Sequence, residues 1–131
     1  ETEKDFNATV SLLEKVKPGI CNISRFGARP NTPAEKMPQQ LHGRVKKERS
    51  RVLSALCASI SLEQNKTLLG SSQEILVTEI GPKGNFVGRT LNYKPVAIKQ
   101  NALGKFVKVK VTAAFQAFLE AKPLKTSANA F

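Results

Sequence analysis

Phe106-Val107-Lys108-Val109-Lys110-Val111-Thr112 decides the fold of this chain of 131 residues. Extended backbone sends alternate side chains to opposite faces, so Val107, Val109 and Val111 share one side and Lys108 and Lys110 the other. Such a strand has one face in a core and one in water. Upstream, Gln73–Ile80 and Phe86–Leu91 read as two further strands, joined by Gly81-Pro82-Lys83-Gly84-Asn85, a hairpin signal. Pro95–Lys99 is another, entered through Asn92-Tyr93-Lys94, and Asn101–Gly104 turns the chain into Phe106. Downstream, Gln116–Ala121 is the last, before a polar tail over 124–131. Five short strands with Gly-rich turns are too few for a sandwich and predict a small closed barrel over 71–123, expected to be antiparallel throughout.

Before residue 71 the period is 3.6. Phe6, Val10 and Leu13, with Val16 following, predict an amphipathic helix over 5–17, stopped by Pro18-Gly19. Ile20-Cys21-Asn22-Ile23 is then a short apolar run of the kind a buried parallel strand has. Residues 26–41 hold Gly27, Pro30, Pro33 and Pro38 and read as loop. A long helix is expected from Gly43 or Arg44 to Leu69, with Gly70 as its C′ cap. On it Val45, Val52, Leu53, Leu56, Cys57 and Ile60 share an arc opposite Arg44, Lys47 and Arg51. Lys46 and Arg49 fall near that apolar arc, so either they snorkel or the helix start faces a ligand. A helix leading into a strand is half of a βαβ unit and cannot bury its own faces. With no initiating Met, this predicts a chain that begins inside a longer protein. Exposed apolar faces at Phe6, Leu13, Ile20 and Ile23 would then be mobile or would self-associate.

The formal net charge is +11. No acid lies between Glu79 and Glu120, a stretch holding Lys83, Arg89, Lys94, Lys99, Lys105, Lys108 and Lys110. So one-sided a field suits a polyanion, of which nucleic acid is the commonest. Cys21 and Cys57 fit no metal-ligand spacing and read as buried packing residues. His42, the one histidine, has no partner in sequence, no phosphate loop follows a strand, and no paired carboxylates stand out. The reading is of no catalytic and no metal-binding residue. No apolar run is long enough to span a membrane and the start is not a signal peptide, so a cytoplasmic protein is expected and its three Asn-x-Ser/Thr sequences are chance matches.

Two segments look functional. Ser24-Arg25-Phe26-Gly27-Ala28-Arg29-Pro30-Asn31-Thr32-Pro33-Ala34 would follow a strand, where α/β barrels place their sites, with Arg25 and Arg29 as its charges. A rigid connector explains it equally well. Gly88-Arg89-Thr90-Leu91-Asn92-Tyr93-Lys94-Pro95 sets an Arg, an amide, an aromatic ring and a Lys at one corner, the groups that hold phosphate and stack a base. Tyr93 as barrel core is the alternative.

Asn22–Met37 followed by Val45-Lys46-Lys47-Glu48-Arg49-Ser50-Arg51 resembles the end of the radical-SAM barrel of tRNA methylthiotransferases, which carry an R-P-G-T-P-A loop and then a V-K-x-E-R helix. Asn31 departs from the glycine usual in that loop. Ile75–Glu79 and Gly88–Ile98 resemble the TRAM domain that follows. Asn22–Phe26 and Asn92–Pro95 are most similar to the archaeal and eukaryotic branch, which acts on threonylcarbamoyladenosine in tRNA.

The resemblance implies an α+β chain: the end of an α/β radical-SAM barrel (residues 1–41), a connecting helix (42–70), then an OB-like TRAM barrel (71–123). It implies an enzyme that uses S-adenosylmethionine and iron–sulfur clusters, of which this part, lacking the C-x-x-x-C-x-x-C ligands, binds no cofactor and is inactive alone. It implies tRNA contact, at the anticodon arm, by Arg89, Asn92, Tyr93, Lys94, Lys99 and Lys108, with Arg44, Lys46 and Lys47 spanning toward the barrel and Arg25 and Arg29 at its substrate end. The other readings are a stand-alone TRAM or OB-like RNA-binding protein and a structural protein of a ribonucleoprotein.

Overall fold

The structure, a computed structural model, describes residues 1–124, so the expected polar tail lies outside the described residues beyond Leu124. The chain divides into two compact units, Glu1–Ser61 and the part from Leu62 onward.

In the first unit, α1 (Glu3–Val16) starts at a capping box: the Thr2 hydroxyl accepts the Asp5 N–H, and the Asp5 carboxylate accepts the Thr2 N–H at 2.8 Å. Lys17, in the left-handed region at φ 48°, closes it. Beyond it the sequence reading needs correction. Ile20–Ile23 is no buried strand: residues 20–29 have no regular structure and Ile20 is 63% exposed. An extended segment becomes a strand only beside another with which to exchange backbone hydrogen bonds, and among the described residues none pairs with it. A short 3-10 turn, Pro33–Lys36, interrupts the expected loop.

α2 (Gly43–Lys66) ends a turn earlier than expected. Gly70 is left-handed, at φ +76°, but ends the turn after the helix and donates its N–H to the Val111 carbonyl. The two cations near the apolar arc are accounted for within the unit. Arg49 bonds the Glu1 and Glu3 carboxylates at 2.8 and 2.9 Å with its guanidinium over the Phe6 ring, and Lys46 Nζ donates to the Phe26 carbonyl.

Cys21 and Cys57 are half-buried rather than fully buried. Burial, with the Cys21 thiol beside it, raises the Cys57 thiol from the ordinary 9.0 to about 11. The folded chain therefore holds that proton more tightly than the unfolded one, and the stability linked to it is complete below pH 9 and lost as pH rises through about 11. Alkylation of Cys57 by iodoacetamide, read by mass spectrometry of the labelled peptide, is expected to reach half its maximal rate near pH 11. A half-maximum near pH 9 would contradict the packing.

The second unit contains the expected barrel. Its strands are β1 (Ser72–Ile80), β2 (Phe86–Thr90), β3 (Pro95–Ile98), β4 (Phe106–Ala114) and β5 (Leu119–Pro123). They close in the order β1-β2-β3-β5-β4, back to β1. One pairing departs from an antiparallel barrel: β3 and β5 run parallel, Val96 beside Leu119 and Ala97 beside Glu120. Closure forces this, because β5 must fill the gap between β3 and β4 while antiparallel to its hairpin partner β4.

β5 begins three residues later than the sequence suggested. Phe115 donates its N–H to the Phe118 carbonyl, and the two rings stack at 4.6 Å, making 115–118 a turn. Ile75, Val77, Val96, Ile98, Val109, Val111 and Leu119 fill the interior, each worth roughly 2 kcal/mol of burial. Register shifts at Val77/Glu79 in β1 and Val111/Ala113 in β4 supply the local bends that a five-stranded barrel needs.

Candidate nucleic-acid interface

The corner between β2 and β3 is a three-residue loop, Leu91-Asn92-Tyr93. Thr90 donates its N–H to the Lys94 carbonyl at 3.0 Å, and Tyr93 donates to the Thr90 carbonyl at 2.8 Å. The Thr90 hydroxyl also accepts the Lys94 N–H. A hairpin of this length needs a left-handed residue at its third position, and here that residue is Tyr93, at φ +64°. Holding an aromatic residue there costs on the order of 1 kcal/mol. The ring gains no burial in return: Tyr93 is 67% exposed, which excludes the barrel-core alternative, and Leu91 is 98% exposed.

Arg89 stands beside Tyr93, facing outward because Gly88 and Thr90 face inward. Its guanidinium lies 5.1 Å from the centroid of the Tyr93 ring, and Nη2 bonds Glu79 Oε1 at 2.9 Å. Among the described residues Arg89 Nε has no hydrogen-bond acceptor. Cation and ring are thus held together at the surface, with Asn92 exposed beside them.

Lys94 is turned the other way. Its Nζ donates to Asn65 Oδ1 at 2.8 Å, and the Asn65 amide donates to the Phe115 carbonyl at 2.7 Å. Asn65 is only 3% exposed and sits in the last turn of α2. An ammonium there meets the negative end of the helix, so Lys94 fastens the corner to the helix end.

The remaining cations of the barrel are spread around its outside. Lys99, after β3, lines a groove of about 220 Å³ with Asn85, Thr112, Glu120 and Lys122. Lys108 points out of β4 opposite Glu74 of β1. In the first unit Arg44 and Lys47 are exposed at the start of α2, and Arg29 is exposed in the irregular segment. Arg25 lines a hollow of about 360 Å³ with Phe6, Phe26, Met37, Lys46 and Arg49. Within the barrel unit the structure therefore joins Arg89, Asn92 and Tyr93 at one corner, turns Lys94 away from them and places Lys99 and Lys108 elsewhere on the barrel.

Sequence reasoning passed over Phe106. It is 71% exposed and shares the outward phase of Lys108 and Lys110 on β4. The alternation that identified the strand carried this signal, since 106 has the parity of 108 and 110. Among the described residues, no group of three His, Cys, Asp or Glu side chains comes together to hold a metal ion.

Residues 66–124 match the TRAM domain. The chain is 40% identical over 119 residues to a probable threonylcarbamoyladenosine tRNA methylthiotransferase of Methanothermobacter thermautotrophicus, a match covering 91% of this chain and 28% of the relative. It is 37% identical over 123 residues to a tRNA-2-methylthio-N(6)-dimethylallyladenosine synthase of Pelotomaculum thermopropionicum, covering 91% and 28%. A ribosomal protein uS12 methylthiotransferase of Desulforamulus reducens is 32% identical over 126 residues, covering 88% and 28%. The chain spans little more than a quarter of the length of these curated relatives, and its matches fall in the C-terminal region of the archaeal ones.

Proposed function

We propose that this chain, a TRAM domain preceded by a stretch similar to the C-terminal region of methylthiotransferases, is the part of such an enzyme that holds its RNA. The observation that carries the reading is the Arg89–Tyr93 pair, a cation and an exposed ring held 5.1 Å apart on a strained corner of a basic barrel. Such a pair offers phosphate a charge and a base a stacking face. The finer reading is that the RNA is the anticodon arm of a cytoplasmic tRNA and that the enzyme acts on threonylcarbamoyladenosine. It rests on the archaeal relatives' names and on the Asn92–Pro95 corner. S-adenosylmethionine and iron–sulfur chemistry would come from parts of the enzyme outside this chain, whose own residues grip and orient the RNA.

Of the apolar residues expected to be exposed, Phe6 is buried under Arg49 and Leu13 and Ile23 are half-buried; within Glu1–Ser61 the largely exposed ones are Leu12, Val16, Ile20, Phe26 and Met37. That apolar surface supports a covering partner, either the remainder of a longer protein or a second copy, and a free-standing RNA binder leaves it without a role.

The test is titration of this chain with an anticodon stem-loop and with an unrelated hairpin of equal length, each at several salt concentrations. Preference for the anticodon arm by tenfold or more, with affinity falling steeply as salt rises, supports the reading. Equal weak binding to both RNAs sinks the anticodon-arm assignment and leaves a general polyanion binder.

A further inference from the structure

We propose that the outer face of β4, with β1 and β5 beside it, is a second stacking and phosphate-binding track that takes a single-stranded stretch of RNA. The proposal rests on the RNA-binding reading above and extends it to a surface that reading does not use.

The face is built by register. Outward residues of β4 are Phe106, Lys108 and Lys110, successive ones about 7 Å apart along the strand. Across β1 they face Leu76, Glu74 and Ser72 in turn. Leu76 also faces Arg89 on its other side, in β2. Phe106, Leu76 and Arg89 therefore form one row across three strands, with Phe106 about 10 Å from Arg89 at two interstrand spacings. Tyr93 lies over the Arg89 guanidinium at the far end of that row. Two exposed aromatic rings thus bracket a half-buried leucine on one continuous surface.

Two features of this face are unfavourable without a ligand. Phe106 leaves 71% of its surface in water although the barrel interior lies one residue away along the same strand. Lys110 stands directly opposite Lys122 of β5, a cross-strand pairing of like charges that is destabilising by itself. Glu74, facing Lys108, and Glu120 on β5 border the lysines, but neither stands between Lys110 and Lys122. A phosphate between the two ammonium groups removes the repulsion, and a base on Phe106 covers the ring. Both needs are met by an extended single strand, whose bases are free to stack as those of a duplex are not. An acidic protein segment would satisfy the lysines and leave the ring exposed.

The chain has no tryptophan, so Phe106→Trp carries the sole indole. Its fluorescence is expected to be quenched on titration with a single-stranded RNA heptamer from an anticodon loop, with affinity within about twofold of the wild type, because indole stacks as phenyl does. Phe106→Ala should weaken binding roughly tenfold. Lys110→Ala/Lys122→Ala should flatten the dependence of log affinity on log salt by about 0.7 for each phosphate lost. Circular dichroism checks that each variant keeps the barrel, which these outward side chains do not fill. Heptamer binding that weakens in Arg89→Ala but is unchanged in Phe106→Ala and the lysine pair, with no quenching in Phe106→Trp, overturns the track and leaves the corner standing. Absence of heptamer binding by the unaltered chain overturns the track alone, and absence of stem-loop binding as well overturns both.

Discussion

Gly88→Ala is expected to destabilise the barrel by about 2–3 kcal/mol, at the upper end of what overpacking one methyl costs. Gly88 is buried in the middle of β2, where it faces Val77 of β1 and Val96 of β3. A Cβ there would stand 2.8 Å from Ile75 Cδ1, 3.1 Å from Ile75 Cβ and 3.0 Å from the Leu76 carbonyl oxygen. The Ile75 terminus could rotate if it had space, but Ile75 is fully buried. The carbonyl is backbone, so it yields only if β1 moves away from β2. In a closed barrel that displacement reaches β4, which bonds the other edge of β1. For a domain of this size, each kcal/mol lowers the melting temperature by roughly 4–8 °C, so a fall of about 10–20 °C is expected by thermal circular dichroism. Gly19→Ala is the control, since nothing lies within 4 Å of its added methyl. A Gly88→Ala melt within two or three degrees of the wild type, a shift on the order of half a kcal/mol, would mean that β1 and β2 are not packed as described.

That glycine also marks how far the sequence could be read. The alternation of 106–112 and the hairpin signal at 81–85 gave the strands nearly to their ends, because each is a local pattern with one physical reading. The parallel β3–β5 pairing was not legible: no residue in 95–98 or 119–123 records its neighbour, and closure of the sheet, a global constraint, selects it. Ile20–Ile23 misled because apolar composition is necessary for a buried strand but does not supply a partner. At the site, Arg89 and Tyr93 were legible as types at a turn. Their stacking was not, since it depends on the left-handed φ of Tyr93. Lys94 looked like a second surface cation beside Arg89, and only the fold brings Asn65, 29 positions earlier, to its ammonium.

Tyr93→Gly separates strain from function and is expected to keep or slightly raise stability while RNA affinity falls. Glycine occupies the left-handed region without steric cost, so the substitution relieves roughly 1 kcal/mol at φ +64°. Its own greater freedom in the unfolded chain returns part of that gain, leaving a melting temperature equal to or a few degrees above the wild type. Little burial is lost, because the ring is mostly in water. RNA affinity should fall on the order of 30-fold, from the loss of one stacked base and of the ring that orients the Arg89 guanidinium. Tyr93→Phe keeps the ring and is expected to bind within about threefold of the wild type, since stacking needs the face and not the hydroxyl. A purely structural tyrosine would lose stability and affinity together in Tyr93→Gly. Unchanged affinity in that variant, measured by fluorescence anisotropy of a labelled anticodon stem-loop, would remove Tyr93 from the interface and leave its strained conformation without a purpose in RNA binding.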